Sequence, residues 1–154
     1  MAGKYNAASR RAISNRQRAY PMFVTPLYAG ILAIGFLLLS ARVANLRHGG
    51  GPRFGDNGDA RIAGIVRAQA NFAEYVPLAL LLMGFLEASR YSIYVLHACG
   101  IALILARLLH GLALSFGWPR SGRFVGTALT FAVLLIEAIL CIYQGLRGQW
   151  IWLQ

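Results

Sequence analysis

Residues 22–41, MFVTPLYAGILAIGFLLLSA, carry no charged side chain. At 1.5 Å per residue they make about 30 Å of α-helix, the thickness of a bilayer's hydrocarbon core. Three further apolar stretches follow: GIVRAQANFAEYVPLALLLMGFL at 64–86, YSIYVLHACGIALILARLLHGLALSF at 91–116 and FVGTALTFAVLLIEAILCIYQGL at 124–146. The reading is an all-α integral membrane four-helix bundle with spans at about 22–44, 64–87, 91–116 and 124–146, both termini on one side. Those spans form one domain over 21–147. A basic arm (1–20) precedes it and a short tail (148–154) follows.

The 154-residue composition agrees. Charged residues are 13% and hydrophobic residues 58%, against about 25% charged in ordinary soluble domains. A soluble enzyme and a disordered chain are both excluded on that ground. Lys plus Arg is 15, Asp plus Glu is 5, and the net charge is +10. The bases flank apolar runs, so the expected partner is the anionic bilayer surface and not nucleic acid. Cys99 and Cys141 lie inside apolar stretches without zinc or CxxC spacing, so no metal site is expected. Lys4, Arg10, Arg11, Arg16 and Arg18 make the arm juxtamembrane.

Residues 45–63, NLRHGGGPRFGDNGDARIA, break the helix with Gly, Pro and Asp. The connection at Glu87–Arg90 is so short that the second and third helices must be antiparallel neighbours. Tyr20, Tyr91, Tyr94, Trp150 and Trp152 mark the interface on the terminal side, and Trp118 the opposite one. Basic residues divide evenly between the two sides, so they set no orientation. Ala98, Ala102 and Ala106, with Ala29 and Ala33, have the spacing of small residues at close helix contacts.

The second span is expensive to insert: a charge at mid-membrane costs about 2.5–3.5 kcal/mol on insertion scales. At about 100° per residue, Arg67, Asn71 and Glu74 fall on one face, while Gln69 points almost the other way. Such a helix is either central in its bundle or borders a second copy. Pro77 removes a backbone donor one turn after Ala73 and predicts a kink beside Glu74. Arg107 and His110 share a side of the third helix; Arg123, Thr127, Thr130 and Glu137 form a stripe on the fourth. Thr127 and Thr130 are expected to bond their own backbone. Glu137 is expected to have a structural partner on another helix. Antiparallel alternation puts Arg42, Arg67, His110 and Arg123 at one end of the bundle, a cationic pocket under the first and third loops. Arginines, one carboxylate and amides suit a ligand with several anionic groups and an ammonium, and glutathione fits. The competing reading is structural ion pairs and snorkelling end residues.

RAQANFAEYVPL at 67–78 resembles the signature of the MAPEG family, the membrane-associated proteins of eicosanoid and glutathione metabolism. Arg67, Asn71, Glu74 and Pro77 match it in spacing and identity, and Gln69 and Tyr75 match its leukotriene-forming branch. ARLLH at 106–110 resembles the third helix of the prostaglandin E synthase branch. Counting on without a gap places Arg123 where that branch has its catalytic arginine. SAR at 40–42 resembles the end of the first helix in the leukotriene branch. The resemblance implies a homotrimer with glutathione between neighbouring copies, in a multi-pass protein of a bacterial inner membrane. It implies that Arg67, Asn71, Glu74 and Tyr75 hold glutathione, that Gln69, His110 and Arg42 assist, and that Arg123 is catalytic. A cation beside a thiol favours the thiolate, which then attacks an electrophile. The implied activity is a glutathione-dependent transferase or peroxidase acting on a hydrophobic small molecule. The alternative is a non-catalytic lipid- or ligand-binding membrane scaffold of the same fold. A small channel is disfavoured because polar groups cluster at one end only. Two positions depart from the pattern: Leu114 stands where several members have Tyr, and Gly64 where the leukotriene branch has a base.

Overall fold

The computed structural model describes residues 22–116 and 120–152. The basic arm with Tyr20, Trp118 and the last two residues lie outside the described residues. The helices are α1 (Val24–His48), α2 (Ala60–Ala88), α3 (Ile93–Phe116) and α4 (Arg120–Trp152). All four are long and apolar enough to cross a membrane, and no strand occurs among the described residues.

Helix ends follow from local chemistry. No side chain next to α1 caps it. Its first amides are satisfied from the far end of α2 instead: Glu87 Oε1 accepts from Phe23 N (2.6 Å) and Val24 N (2.7 Å), and Oε2 from Thr25 N (2.7 Å). Past His48 the chain turns through Gly50, Gly55, Asn57 and Gly58, all at positive φ. Asp59 then caps α2 in the usual way, accepting from Arg61 N at 2.7 Å and Ile62 N at 3.3 Å. This cap starts α2 at Ala60, ahead of the apolar stretch. The helix continues through Pro77 to Ala88.

The α2–α3 turn is a Schellman closure, with Tyr91 N donating to Leu86 O and Arg90 N to Glu87 O, both at 2.9 Å. Arg90 occupies the left-handed position, φ 58°, where glycine is usual. So tight a turn leaves α2 and α3 no choice but to pack side by side.

α2 packs against all three other helices, while α1 and α4 occupy opposite edges and do not touch among the described residues. Val24, Tyr28, Met83, Leu86 and Leu96 form one core cluster near the terminal side. Leu32, Phe72, Val76, Ala79 and Leu103 form another, deeper in the bundle. Leu37, Leu81, Phe85, Leu135 and Ile142 are exposed, as a lipid-facing girdle requires.

The closest helix contacts are made by glycines. A Cβ on Gly100 would lie 2.5 Å from the Tyr28 ring, one on Gly64 2.6 Å from Leu114 O, and one on Gly126 2.7 Å from Ala106 O. The alanine repeats contribute less than expected. Ala106 is fully buried, but Ala98 and Ala33 are exposed and Ala102 and Ala29 half-buried. Spacing defines a stripe of small residues; it does not say which stripe meets a neighbour.

Candidate functional site

The polar face of α2 points away from its own bundle. Arg67 and Glu74 are exposed and Asn71 is half-buried. Arg67 and Glu74 are therefore not a buried ion pair. They are a cation and an anion presented outward from a membrane-spanning helix. Gln69 faces inward, donating from Nε2 to Ser40 Oγ on α1 at 3.4 Å. The opposed directions of Arg67 and Gln69 follow from their 200° separation.

Tyr75 ties this face to α4. Its ring meets Phe131 edge-on, with centroids 5.5 Å apart and planes at 66°. α2 and α4 run in the same direction, so stepping back eight residues on each places Arg67 and Arg123 at one depth. Arg123 is exposed. Its carbonyl accepts from Thr127 Oγ1 at 2.9 Å, and Gly126 O accepts from Thr130 Oγ1 at 2.7 Å. Both threonines thus bond their own helix, which leaves the arginine as the chemical group of that turn.

The other members of the expected set sit elsewhere in the cross-section. Arg42 leans across to α3, donating from Nη2 to Ser115 O at 3.2 Å with its guanidinium 4.1 Å from the Phe116 ring centre. His110 is 4% exposed, in the α3–α4 contact opposite Gly126. Arg42, Arg67, His110 and Arg123 do share one end of the bundle. Within one chain they do not line one pocket.

Arg107 is the residue that sequence reasoning undervalued. It is 6% exposed and joins three helices. Nη1 donates to Asn71 O on α2 at 3.4 Å, and Nη2 to Gly126 O at 3.4 Å and to Thr130 Oγ1 on α4. Its Nε is buried without a partner among the described residues. An arginine one turn from His110 in an otherwise apolar run was the available signal. Arg107 fixes α4, and with it Arg123, against the Asn71 turn of α2.

Glu137 corrects an expectation. It is fully buried, and neither carboxylate oxygen has a hydrogen-bond partner among the described residues. No group of three or more His, Cys, Asp or Glu able to hold a metal occurs among them either.

The MAPEG family profile matches residues 25–143, which span all of α2 and α3 and most of α1 and α4. The chain belongs to the MAPEG family. Two curated relatives carry the name inner membrane protein YecN, from Escherichia coli K12 and Escherichia coli O6:H1. Each is 34% identical over 119 residues, covering 75% of this chain and 88% of the relative. No solved structure matches. With its four spanning helices, this MAPEG protein is a multi-pass protein of a bacterial inner membrane. The structure gives a physical reason for one of the two departures from the MAPEG pattern. Gly64 lies against the backbone of Leu114, so a basic side chain at 64 would push α2 off α3.

Proposed function

We propose that this protein is a membrane-bound glutathione-dependent transferase or peroxidase, assembled as a homotrimer with glutathione at the contact between copies. The observation that carries the reading is the line Arg67, Asn71, Glu74, its two charges exposed along a helix that crosses the membrane. Lipid cannot solvate that line, and a second copy bringing a polyionic ligand can. Arg67 and Asn71 suit glutathione's carboxylates and amides, and Glu74 its ammonium. Tyr75 supplies a hydroxyl and a ring beside them. Arg42 is left out of the set because it leans across to Ser115 and Phe116 on α3, and not toward the outer face of α2. Gln69 and His110 support it from within the bundle.

Arg123 is the catalytic residue of this proposal. Its cation stabilises the thiolate left when the glutathione thiol gives its proton to water. In the transferase reaction the sulfur pair forms a bond to carbon, and the leaving group or opened-ring oxygen takes the electrons of the broken bond. In the peroxidase reaction two glutathiones reduce one hydroperoxide to an alcohol and water and become the disulfide. The substrate enters from lipid and is hydrophobic.

The experiment is glutathione binding to the detergent-purified full chain, with ultraviolet difference absorption to detect thiolate. Removing a charged hydrogen bond costs about 1.5–3 kcal/mol, roughly tenfold or more in affinity. Glu74→Ala should therefore lose at least tenfold. Arg123→Ala should keep binding and lose the thiolate signal. Gly64 and Leu114 stand where other members of the family carry a base and a Tyr, which favours a second reading: a ligand-binding scaffold without catalysis. Wild-type binding without thiolate would select that reading, and no binding at millimolar glutathione would reject glutathione altogether.

A further inference from the structure

We propose that the lateral groove between α1 and α3 is a site for one anionic phospholipid, with an acyl chain in the groove and the phosphate between Arg42 and Arg61. The groove is a cavity of about 290 Å³ running from Ile31 to Arg42 on α1 and from Ile104 to Ser115 on α3. Eleven residues of helix rise about 16 Å, close to half of a 30 Å hydrocarbon core. The groove therefore has the depth of one leaflet. Its volume lies just below the about 300–1,000 Å³ of drug-sized ligand sites, so the groove takes no more than one chain. Leu38, Leu108 and Leu112 give it apolar walls. Its only charged lining residues are Arg42 and Arg107, so the charge of the site is wholly positive.

A second cavity of about 600 Å³ opens above the first, between the end of α1 and the start of α2. The two share Leu38 and Arg42, and the upper one adds Asn45 and Arg61. Two arginines and an amide above an apolar slot are complementary to a phosphate above an acyl chain. The upper cavity is larger than the groove, which fits a glycerophosphate headgroup and leaves a bare carboxylate poorly held. Arg42 is already aimed by Ser115 O and the Phe116 ring, and its remaining donors are free to receive the phosphate. None of Arg67, Asn71, Glu74 and Arg123 lines either cavity, so the site is separate from the proposed glutathione site.

Gly111 provides a clean test. It lines the groove, and a Cβ built on it meets no atom within 4 Å. The first carbon of a side chain there is unobstructed, so Gly111→Leu adds its bulk to the groove lining, and it improves helix propensity. The full chain is purified in detergent, loaded with phosphatidylglycerol or with phosphatidylcholine of the same chains, and weighed by native mass spectrometry. Wild type should retain one phosphatidylglycerol per chain and at least tenfold less phosphatidylcholine. Gly111→Leu should lose retained phosphatidylglycerol at least tenfold. Arg61→Gln should lose the preference between headgroups while the thermal midpoint in lipid-free detergent is unchanged. Retention by Gly111→Leu equal to wild type overturns the proposal. So does equal retention of the two lipids, or a bound mass that is a free fatty acid. A Gly111→Leu chain that changes subunit number and not lipid content assigns the groove to a second copy and overturns it too. Glutathione titration of the same samples keeps the result independent of the proposed enzyme activity.

Discussion

Glu137 and Arg107 are both buried charged residues, and their surroundings treat them in opposite ways. Arg107 reaches acceptors on α2 and α4. Glu137 is 0% exposed and its two oxygens reach none among the described residues. A buried polar group without partners costs about 1–3 kcal/mol, and more if charged. Replacing it by an apolar side chain of similar volume relieves that cost. Glu137→Met should therefore raise stability by about 1–3 kcal/mol, read as a higher denaturation midpoint in detergent. A lower midpoint would mean that the carboxyl is satisfied inside the bundle, by a buried water for example, and is not stranded. Both residues announced themselves in the sequence as charges in apolar runs. Their difference did not, because it depends on whether an acceptor or donor on another helix falls within hydrogen-bond reach, and periodicity carries no such information.

At the scale of helices, α1 owes its first turn to the end of α2. Glu87 satisfies the amides of Phe23, Val24 and Thr25, a cap supplied from more than 60 residues away. Losing an N-cap costs about 0.5–2 kcal/mol. Glu87→Ala should lower stability by about 1–2 kcal/mol and speed hydrogen exchange at those three amides alone, with Glu87→Gln recovering part of the protection. Uniform loss of protection along α1 would show that Glu87 docks the helix and does not cap it. The four helices were legible in the sequence because a membrane span needs a long apolar run, and 22–41 has no alternative reading. The cap was not, since a local signal such as Asp59 ahead of α2 has no counterpart ahead of α1. The close contacts were misplaced for a related reason. Alanine spacing suggested them, but Gly64, Gly100 and Gly126 make them, each set by what the facing helix offers: a carbonyl, an aromatic ring, a carbonyl again.

For the whole molecule, the question is what covers the outer face of α2. The line Arg67, Asn71, Glu74 was legible because its 3.6-residue spacing is local. Its outward direction was not, since that depends on how α2 sits against three other helices. Arg42 shows the same division: its depth followed from topology, and its lean toward Ser115 followed from packing. An ionic line exposed at membrane depth argues for assembly through α2, and Ala70 allows that to be tested without touching a proposed ligand contact. Ala70 is exposed and lies about 40° around the helix from Glu74. A large side chain there wedges any contact made by this face and leaves the bundle's own core alone. Ala70→Trp should convert the proposed trimer to smaller species in native mass spectrometry, keep its helical circular dichroism, and lose glutathione binding at least tenfold. Loss of the trimer with binding intact would place a complete site within one chain. A trimer that survives Ala70→Trp would move the assembly contact to another helix, and the polar face of α2 would then need a different cover.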